Sequence, residues 1–190
     1  MSLHARLPAS FRMLLRRFGR NRSASAAIQF AFIAPLFFGL LFSIIETALM
    51  FFAGQVLETM TQDAARTVLT GQAQNASYAS WSVFRDSVVC KTPPVLFTCS
   101  NIYVDVQSYS SFQTVSISSQ IDGTKSFINN MKYCPGKAGD VVVVRLFYQW
   151  PTFVTALGFN LSNLSGNMVL LSATAAFKNE PFVTANTSAC

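Results

Sequence analysis

The chain has 190 residues, a formal net charge of +6 and a hydrophobic share of 51%. Six arginines lie before residue 23 with no acidic residue among them, whereas the rest of the chain holds equal numbers of basic and acidic residues. A nucleic-acid-binding protein would spread its basic residues over the folded surface, so this distribution argues against a nucleic-acid partner. The only histidine is His4, which leaves the remainder of the chain without a histidine base or metal ligand.

A predicted membrane segment follows the arginines. Residues 23–45 contain no charged residue, and Glu46 is the next charge after Arg22. A helix of this length spans roughly 35 Å, which is enough to cross a bilayer. The segment must be helical because lipid offers no partners to backbone N–H and C=O groups. Because arginine is costly to translocate, we expect the N-terminus in the cytoplasm and the rest of the chain outside.

These features divide the chain into three predicted regions. Residues 1–24 form a basic cytoplasmic segment, residues 25–46 a transmembrane helix, and residues 47–190 an exported α+β domain. A cleaved secretory signal peptide is the alternative, but its apolar region would span about 7–15 residues and end at a small-x-small site. Residues 46–53 offer no such site. We therefore expect a retained, single-pass anchor.

Small residues recur at every fourth position along the anchor. The row consists of Ala27, Ala31, Pro35, Gly39, Ser43 and Thr47. Small side chains let membrane helices approach closely, so the row predicts a helix-packing surface; the alternative is that such residues are simply common in membrane helices. Pro35 lacks a backbone N–H and should kink the helix. Glu46 is expected at the outer interface as a solvated boundary residue.

Helical spacing continues beyond the anchor. No proline occurs from Glu46 to Thr70, and Gly71 is the predicted stop. The predicted inner face of this part consists of Leu49, Phe52, Val56, Met60, Ala64 and Val68. A second helix is predicted from Ser77 to Val89. Pro93 and Pro94 prevent its continuation.

The hydrophobic period then changes to two, which is typical of strands. Asn101–Tyr109 alternates and predicts a half-buried strand, whereas Asp140–Trp150 contains four consecutive valines and predicts a central strand. Met168–Lys178 predicts a third strand, and Lys125–Met131 is a candidate short helix. The predicted fold class is α+β: a long N-terminal transmembrane helix continues into an amphipathic helix and packs on a small antiparallel β-sheet.

All four cysteines lie on the exported side, where disulfides are the default. They are Cys90, Cys99, Cys134 and Cys190. Three pairings exist, and we favour Cys90–Cys99 because it closes the shortest loop; Cys134 would then pair with Cys190. A zinc site is the alternative, but histidines and paired C-x₂-C spacing are absent from this region.

The sequence contains no recognisable catalytic constellation. The exported region has no histidine base, no G-x-S-x-G motif and no glycine-rich phosphate loop. Its five aspartates are scattered, and we expect them to be solvated or turn residues; they are Asp63, Asp86, Asp105, Asp122 and Asp140. We therefore expect no enzymatic activity, no bound metal and no cofactor.

The residues around the anchor resemble a known family. Ser25–Pro35, preceded by arginines and followed by Ile44-Ile45-Glu46, is similar to the TadE-like family. These proteins are pseudopilins and related membrane proteins of the bacterial tight-adherence (Flp-type) pilus. Similar residues at 62–66, 70–73 and 171–181, together with the Cys90/Cys99 pair, extend the resemblance over most of residues 15–182.

The resemblance implies an inner-membrane protein with a periplasmic domain that takes part in pilus assembly and cell adhesion. Its implied partners are the inner membrane, other pilus-system membrane proteins or pseudopilins, and a prepilin peptidase that would cut between Ala24 and Ser25. Ala24 replaces the glycine that such peptidases prefer, and Gln29 replaces the glutamate of prepilins. These departures favour an uncleaved accessory protein over a filament subunit. The alternative function is a bitopic periplasmic module that binds a protein or an envelope polymer.

Overall fold

The computed structural model describes residues 23–91, 96–153 and 161–183. The chain divides into two compact units, Met1–Ile45 and Glu46–Cys190. The predicted α+β class is confirmed, because a long N-terminal apolar helix precedes a three-stranded antiparallel sheet. The division into a cytoplasmic segment (residues 1–24), a transmembrane helix (25–46) and an exported domain (47–190) stays a prediction.

Helix α1 extends from Ser23 to Leu69 and includes Pro35. Within the first unit its side chains from Ala26 onward are exposed or partly exposed. Among the described residues it is the one helix that is long and apolar enough to cross a membrane. The helix ends at the predicted stop: the N–H of Gly71 donates to the Val68 carbonyl at 3.1 Å, and Gly71 adopts a φ of 78°. Glycine reaches this left-handed conformation without a steric penalty.

The second unit contains one antiparallel sheet in the order β1-β2-β3. Strand β1 is Ile102–Tyr109, β2 is Val141–Pro151 and β3 is Met168–Lys178. The predicted central strand is confirmed, since residues 141–148 of β2 are all buried. Their β-branched side chains suit a strand that is covered on both faces.

The pairing register gives the sheet two distinct ends. Pro151 pairs with Met168 where β2 leads into β3, and we call this the hairpin end. Val141 pairs with Lys178 at the other end, which we call the tail end. Strand β1 starts near the hairpin end and finishes at the tail end, where Tyr109 pairs with Val141.

The second part of α1 packs against one face of the sheet. Its fully buried residues Ala53, Leu57 and Val68 join a core with alternate residues of all three strands. The strand residues of this core are Ile102, Val104, Val106, Val142, Val144, Leu146, Tyr148, Ala173 and Ala175. The predicted inner face of α1 was wrong at its start, because Leu49 and Phe52 are 46% and 58% exposed.

Two short helices follow α1: α2 is Gln72–Ala76 and α3 is Trp81–Phe84, which continues as a π-helical turn over Arg85–Val89. The predicted second helix therefore begins four residues late. Ser77 adopts a left-handed φ of 51°, which breaks the helix. Ser80 then caps α3 by accepting the Val83 N–H at 3.4 Å.

Phe127 packs against Tyr103 and Phe147 on the other face of the sheet, and the Val106 N–H donates to the Lys132 carbonyl at 2.9 Å along the edge of β1. Residues 115–134, which include Phe127 and Lys132, contain no helix. The candidate helix at Lys125–Met131 is therefore wrong. Asp122 Oδ1 accepts the backbone N–H groups of Thr124 and Ser126 at 2.8 and 2.7 Å. This side chain offers the backbone an alternative to helical hydrogen bonds, as aspartate commonly does in turns.

Candidate functional site

The first part of α1 presents apolar side chains on all sides. Phe32 is 80% exposed, and Phe30 and Leu36 are each 66% exposed. An 18-residue stretch of α1 has a mean hydropathy of 2.3, and none of that stretch is buried within the protein. A helix that is hydrophobic all round needs either a protein core or a lipid environment. Because no core encloses it here, the surface is suited to lipid.

The predicted packing row lies on this lipid-suited surface. Ala27, Ala31 and Pro35 are exposed, and Gly39 is half-buried. Pro35 has no N–H, so the Ala31 carbonyl loses its normal helical donor, and hydrocarbon supplies no water in its place. The row thus combines small side chains with a weakened backbone hydrogen bond. Contact between this row and another helix stays a prediction.

The pilin-like position and the processing site both lie near the start of α1. Gln29 is exposed on the helix, which leaves its amide available to a neighbouring chain. Ala24 and Ser25 fall in the first turn, because α1 begins at Ser23. The arginine-rich residues 1–22 lie outside the described residues. Cleavage between Ala24 and Ser25 stays a prediction.

The predicted Cys90–Cys99 disulfide is present. It joins the end of the π-helical turn to a single turn, Cys99–Asn101, that leads directly into β1. Buried Phe97 packs edge-on against Tyr148 of β2, with ring centroids 4.8 Å apart. Cys134 is also disulfide-bonded. Its predicted partner, Cys190, lies outside the described residues.

Glu46 is not the solvated boundary residue that the sequence suggested. It is half-buried, and its Oε1 atom accepts the backbone N–H of Phe153 from the β2–β3 connection. The base of that connection is closed by Thr152, whose N–H and hydroxyl both donate to the Asn167 carbonyl at 2.9 and 2.7 Å. The first charged residue after the apolar run is therefore bound to the hairpin end of the sheet.

A buried ion pair links β1 and β2, and the expectation that Asp105 is solvated or in a turn was wrong. Asp105 and Arg145 are directly paired across the strands, and their side chains are 2% and 5% exposed. Arg145 donates from Nη2 at 2.7 Å and from Nε at 3.1 Å to Asp105 Oδ2. Its Nη1 donates to the Ser118 carbonyl at 3.0 Å, which ties residues 115–134 to the sheet. The pair is structural in character, since both charges are hydrogen-bonded within the protein.

That pair could have been suspected from the sequence. Arg145 follows four valines inside a predicted central strand, where a buried cation requires a carboxylate nearby. A single sequence does not show which strands pair or in which register, however, so Asp105 could not be identified as the partner in advance. Asp105 alternates with Val104 and Val106, which placed it on the opposite face of the strand. The sequence did not show that another segment of the chain covers that face.

Three titratable groups have shifted pKa values with simple causes. The side-chain hydrogen bond from Arg85 lowers the pKa of exposed Asp86. The Ser126 N–H and the Thr124 hydroxyl lower the pKa of Asp122. Burial raises the pKa of Tyr133 well above its usual range. None of these groups belongs to a nucleophile–base arrangement, so the shifts report local packing rather than chemistry.

A shallow groove of about 610 Å³ lies between α1 and the edge strand β3. Gln62, Asp63 and Arg66 line its helix side, while Thr174 and Phe177 line its strand side. It contains no histidine or cysteine, and the described residues hold no cluster of three metal-ligating side chains. The groove therefore places polar and charged side chains of α1 beside the edge strand β3.

Comparisons with known proteins bear on α1 alone. Residues 24–66 match the family model described as TadE-like protein. No curated protein and no solved structure matched the chain. The matched residues lie within α1, so they cover the lipid-suited part and most of the part that packs on the sheet, whereas the strands lie outside the match. Over residues 24–66, this chain is similar to the TadE-like family.

Proposed function

We propose that the protein is a single-pass inner-membrane component of a tight-adherence pilus system, with a structural or assembly role. In this proposal the arginine-rich end stays in the cytoplasm and the sheet unit folds in the periplasm. The protein acts as an accessory, pseudopilin-like partner of other pilus-system membrane proteins. The TadE-like match on an apolar, unburied helix is the observation that carries the proposal.

The charge distribution supports the proposed orientation. All six N-terminal basic residues precede the apolar run, and the first charge after it is Glu46. Positive charge retained on the cytoplasmic side sets the direction in which a single helix inserts. The Cys90–Cys99 disulfide agrees with this orientation, because disulfides persist in the periplasm and are rare in the cytosol.

A structural role also agrees with the chemistry of the described surface. The polar side chains that line the groove are Gln62, Asp63 and Arg66 on α1 and Thr174 on β3, with no histidine or cysteine among them. We therefore propose that the protein is not an enzyme. Its contacts would be made by the anchor in the bilayer and by the sheet unit outside it.

Deletion of the gene tests the proposed function directly. We expect loss or strong reduction of surface pili, and recovery when the full chain is supplied from a plasmid. Co-purification from detergent extracts should recover other pilus-system membrane proteins. Normal piliation in the deletion strain would contradict the proposed role.

A matched pair of glycine variants tests whether the anchor makes the contacts. Gly39→Leu places a bulky side chain in the small-residue row and should reduce cross-linking to partner helices while membrane insertion stays normal. Gly54→Leu is the control, because it makes the same change in α1 outside the row, at a site where an added Cβ meets no atom within 4 Å. Equal cross-linking for both variants would exclude the row as the contact surface.

A further inference from the structure

We propose that the hairpin end of the sheet rests on the membrane surface from which α1 emerges, with Phe153 and Leu161 inserted among the lipid headgroups. The occupant of this apolar surface is the phospholipid bilayer itself. The inference depends on residues 23–45 crossing the membrane and does not depend on a role in pili. We call Phe153, Leu161, Phe51 and Phe52 the interfacial patch.

Two contacts fix the direction of α1 along the sheet. At the hairpin end, the Phe153 N–H donates to Glu46 Oε1. At the tail end, the Glu180 N–H donates to the Leu69 carbonyl at 3.1 Å. The helix between Glu46 and Leu69 spans about 35 Å, and β3 spans about 33 Å, so the two elements match in length. The hairpin end therefore lies beside the residue at which the uncharged run ends.

The interfacial patch exposes aromatic and aliphatic side chains that a water-facing surface would not favour. Phe153 is 81% exposed, Phe51 69%, Phe52 58% and Leu161 47%. The two phenylalanines of α1 extend the exposed apolar surface beyond Glu46 by about 9 Å, which is comparable to the thickness of the headgroup region. Exposed apolar side chains beside a predicted membrane segment are suited to contact with lipid.

The β2–β3 hairpin carries no charged residue between Arg145 and Lys178. This stretch includes most of β2, its connection to β3, and nearly all of β3. The charged residues Lys137, Asp140, Lys178 and Glu180 all lie near the tail end, where Asp140 and Asn179 exchange backbone hydrogen bonds with their neighbours. The part of the β2–β3 hairpin that would meet the interface thus carries no charge of its own, as contact with lipid favours.

The polar groups beside the patch are compatible with headgroup contact. Glu46 accepts a backbone N–H, which partly offsets the cost of placing its carboxylate near lipid. Lys125 is exposed, and its backbone carbonyl accepts the Ser165 N–H at 2.8 Å, so this lysine lies beside the β2–β3 connection. A lysine in this position can extend its ammonium group to lipid phosphates.

Tryptophan placed in the patch can report lipid contact directly. The full chain would be reconstituted in nanodiscs of phosphatidylcholine and phosphatidylglycerol, with and without lipids brominated near the headgroup end of their acyl chains. Phe153→Trp is the probe. Phe112→Trp is the matched control, since Phe112 is 59% exposed and follows the end of β1 at the tail end. Emission of the native chain, which contains Trp81 and Trp150, is subtracted.

We expect brominated lipids to remove most of the added Phe153→Trp emission and to leave the Phe112→Trp emission unchanged. Leu161→Trp repeats the test should Phe153→Trp fail to fold, and its emission should be quenched in the same way. Equal quenching of the patch probe and the control would overturn the proposal, as would no quenching of either. Blue-shifted emission from the patch without quenching would also overturn it, since that result indicates burial against protein.

Discussion

Breaking the Asp105–Arg145 pair should destabilise the sheet unit far more than breaking an exposed pair of the same length. Asp105 accepts four hydrogen bonds: two from Arg145 at 2.7 and 3.1 Å, one from Gln107 at 2.8 Å and one from the Lys132 N–H at 2.9 Å. Asp105→Asn removes the charge and leaves the Arg145 guanidinium buried beside an amide. Removing one partner of a buried pair costs about 3–5 kcal/mol.

The Arg85–Asp86 pair is the matched control for this change. Its atoms are also 2.7 Å apart, but the Asp86 side chain is 59% exposed. Asp86→Asn should cost at most about 1 kcal/mol, because exposed pairs are solvated and screened. The same charge change at the same distance therefore isolates the effect of burial.

Urea unfolding of the full chain in detergent, followed by Trp81 and Trp150 fluorescence, measures both variants. The double variant Asp105→Leu with Arg145→Met should recover most of the lost free energy of unfolding, since an apolar replacement leaves no buried charge. The reasoning is refuted if Asp105→Asn costs no more than Asp86→Asn, or if the double variant is as unstable as the sum of its singles.

Three further changes have expected outcomes in the same unfolding assay. Gly71→Ala should lower the free energy of unfolding more than Gly139→Ala. Both positions have positive φ, which alone costs about 1–2 kcal/mol for a residue with a side chain, but an added Cβ at Gly71 lies 2.5 Å from the Phe182 ring whereas Gly139 has open space. Equal losses would exclude a steric contribution from Phe182. The Tyr133 hydroxyl is buried without a hydrogen-bond partner among the described residues, and burial raises its pKa. The unfolded chain therefore loses this proton first, so stability should fall as pH rises above about 10; Tyr133→Phe should remove that fall and stabilise the protein at neutral pH, and an unchanged alkaline profile would contradict this. Cys90→Ser should cost about 2–3 kcal/mol, the value for a loop of this length, and a loss below 1 kcal/mol would show that the bridge constrains little.

Those parts of the fold that depend on local pattern could be predicted from the sequence. The charge-free run identified the apolar part of α1, and its end at Leu69 followed from Gly71. The bounds of β3 agreed with prediction, because residues 168–178 combine β-branched and small side chains between polar connections. The Cys90–Cys99 disulfide followed from loop length alone.

Features that depend on contacts distant in the chain could not be predicted in this way. Asp105 and Glu46 each looked solvent-exposed by pattern, yet one is covered by residues 115–134 and the other binds the β2–β3 connection. The predicted core-facing side of α1 was wrong at its start, because helical periodicity does not show at which residue the helix first contacts the sheet. Local hydrogen bonds to Asp122 overrode the helical composition of residues 125–131.

The orientation of α1 in the membrane is the claim on which the proposed function and the membrane contact both depend. Alkaline phosphatase, which requires an oxidising compartment, and a fluorescent protein that matures in the cytosol would each be fused after Cys190. The account predicts high phosphatase activity and no cytosolic fluorescence signal, together with protease protection of the N-terminus in intact spheroplasts. An inactive phosphatase with a bright cytosolic fusion would contradict it.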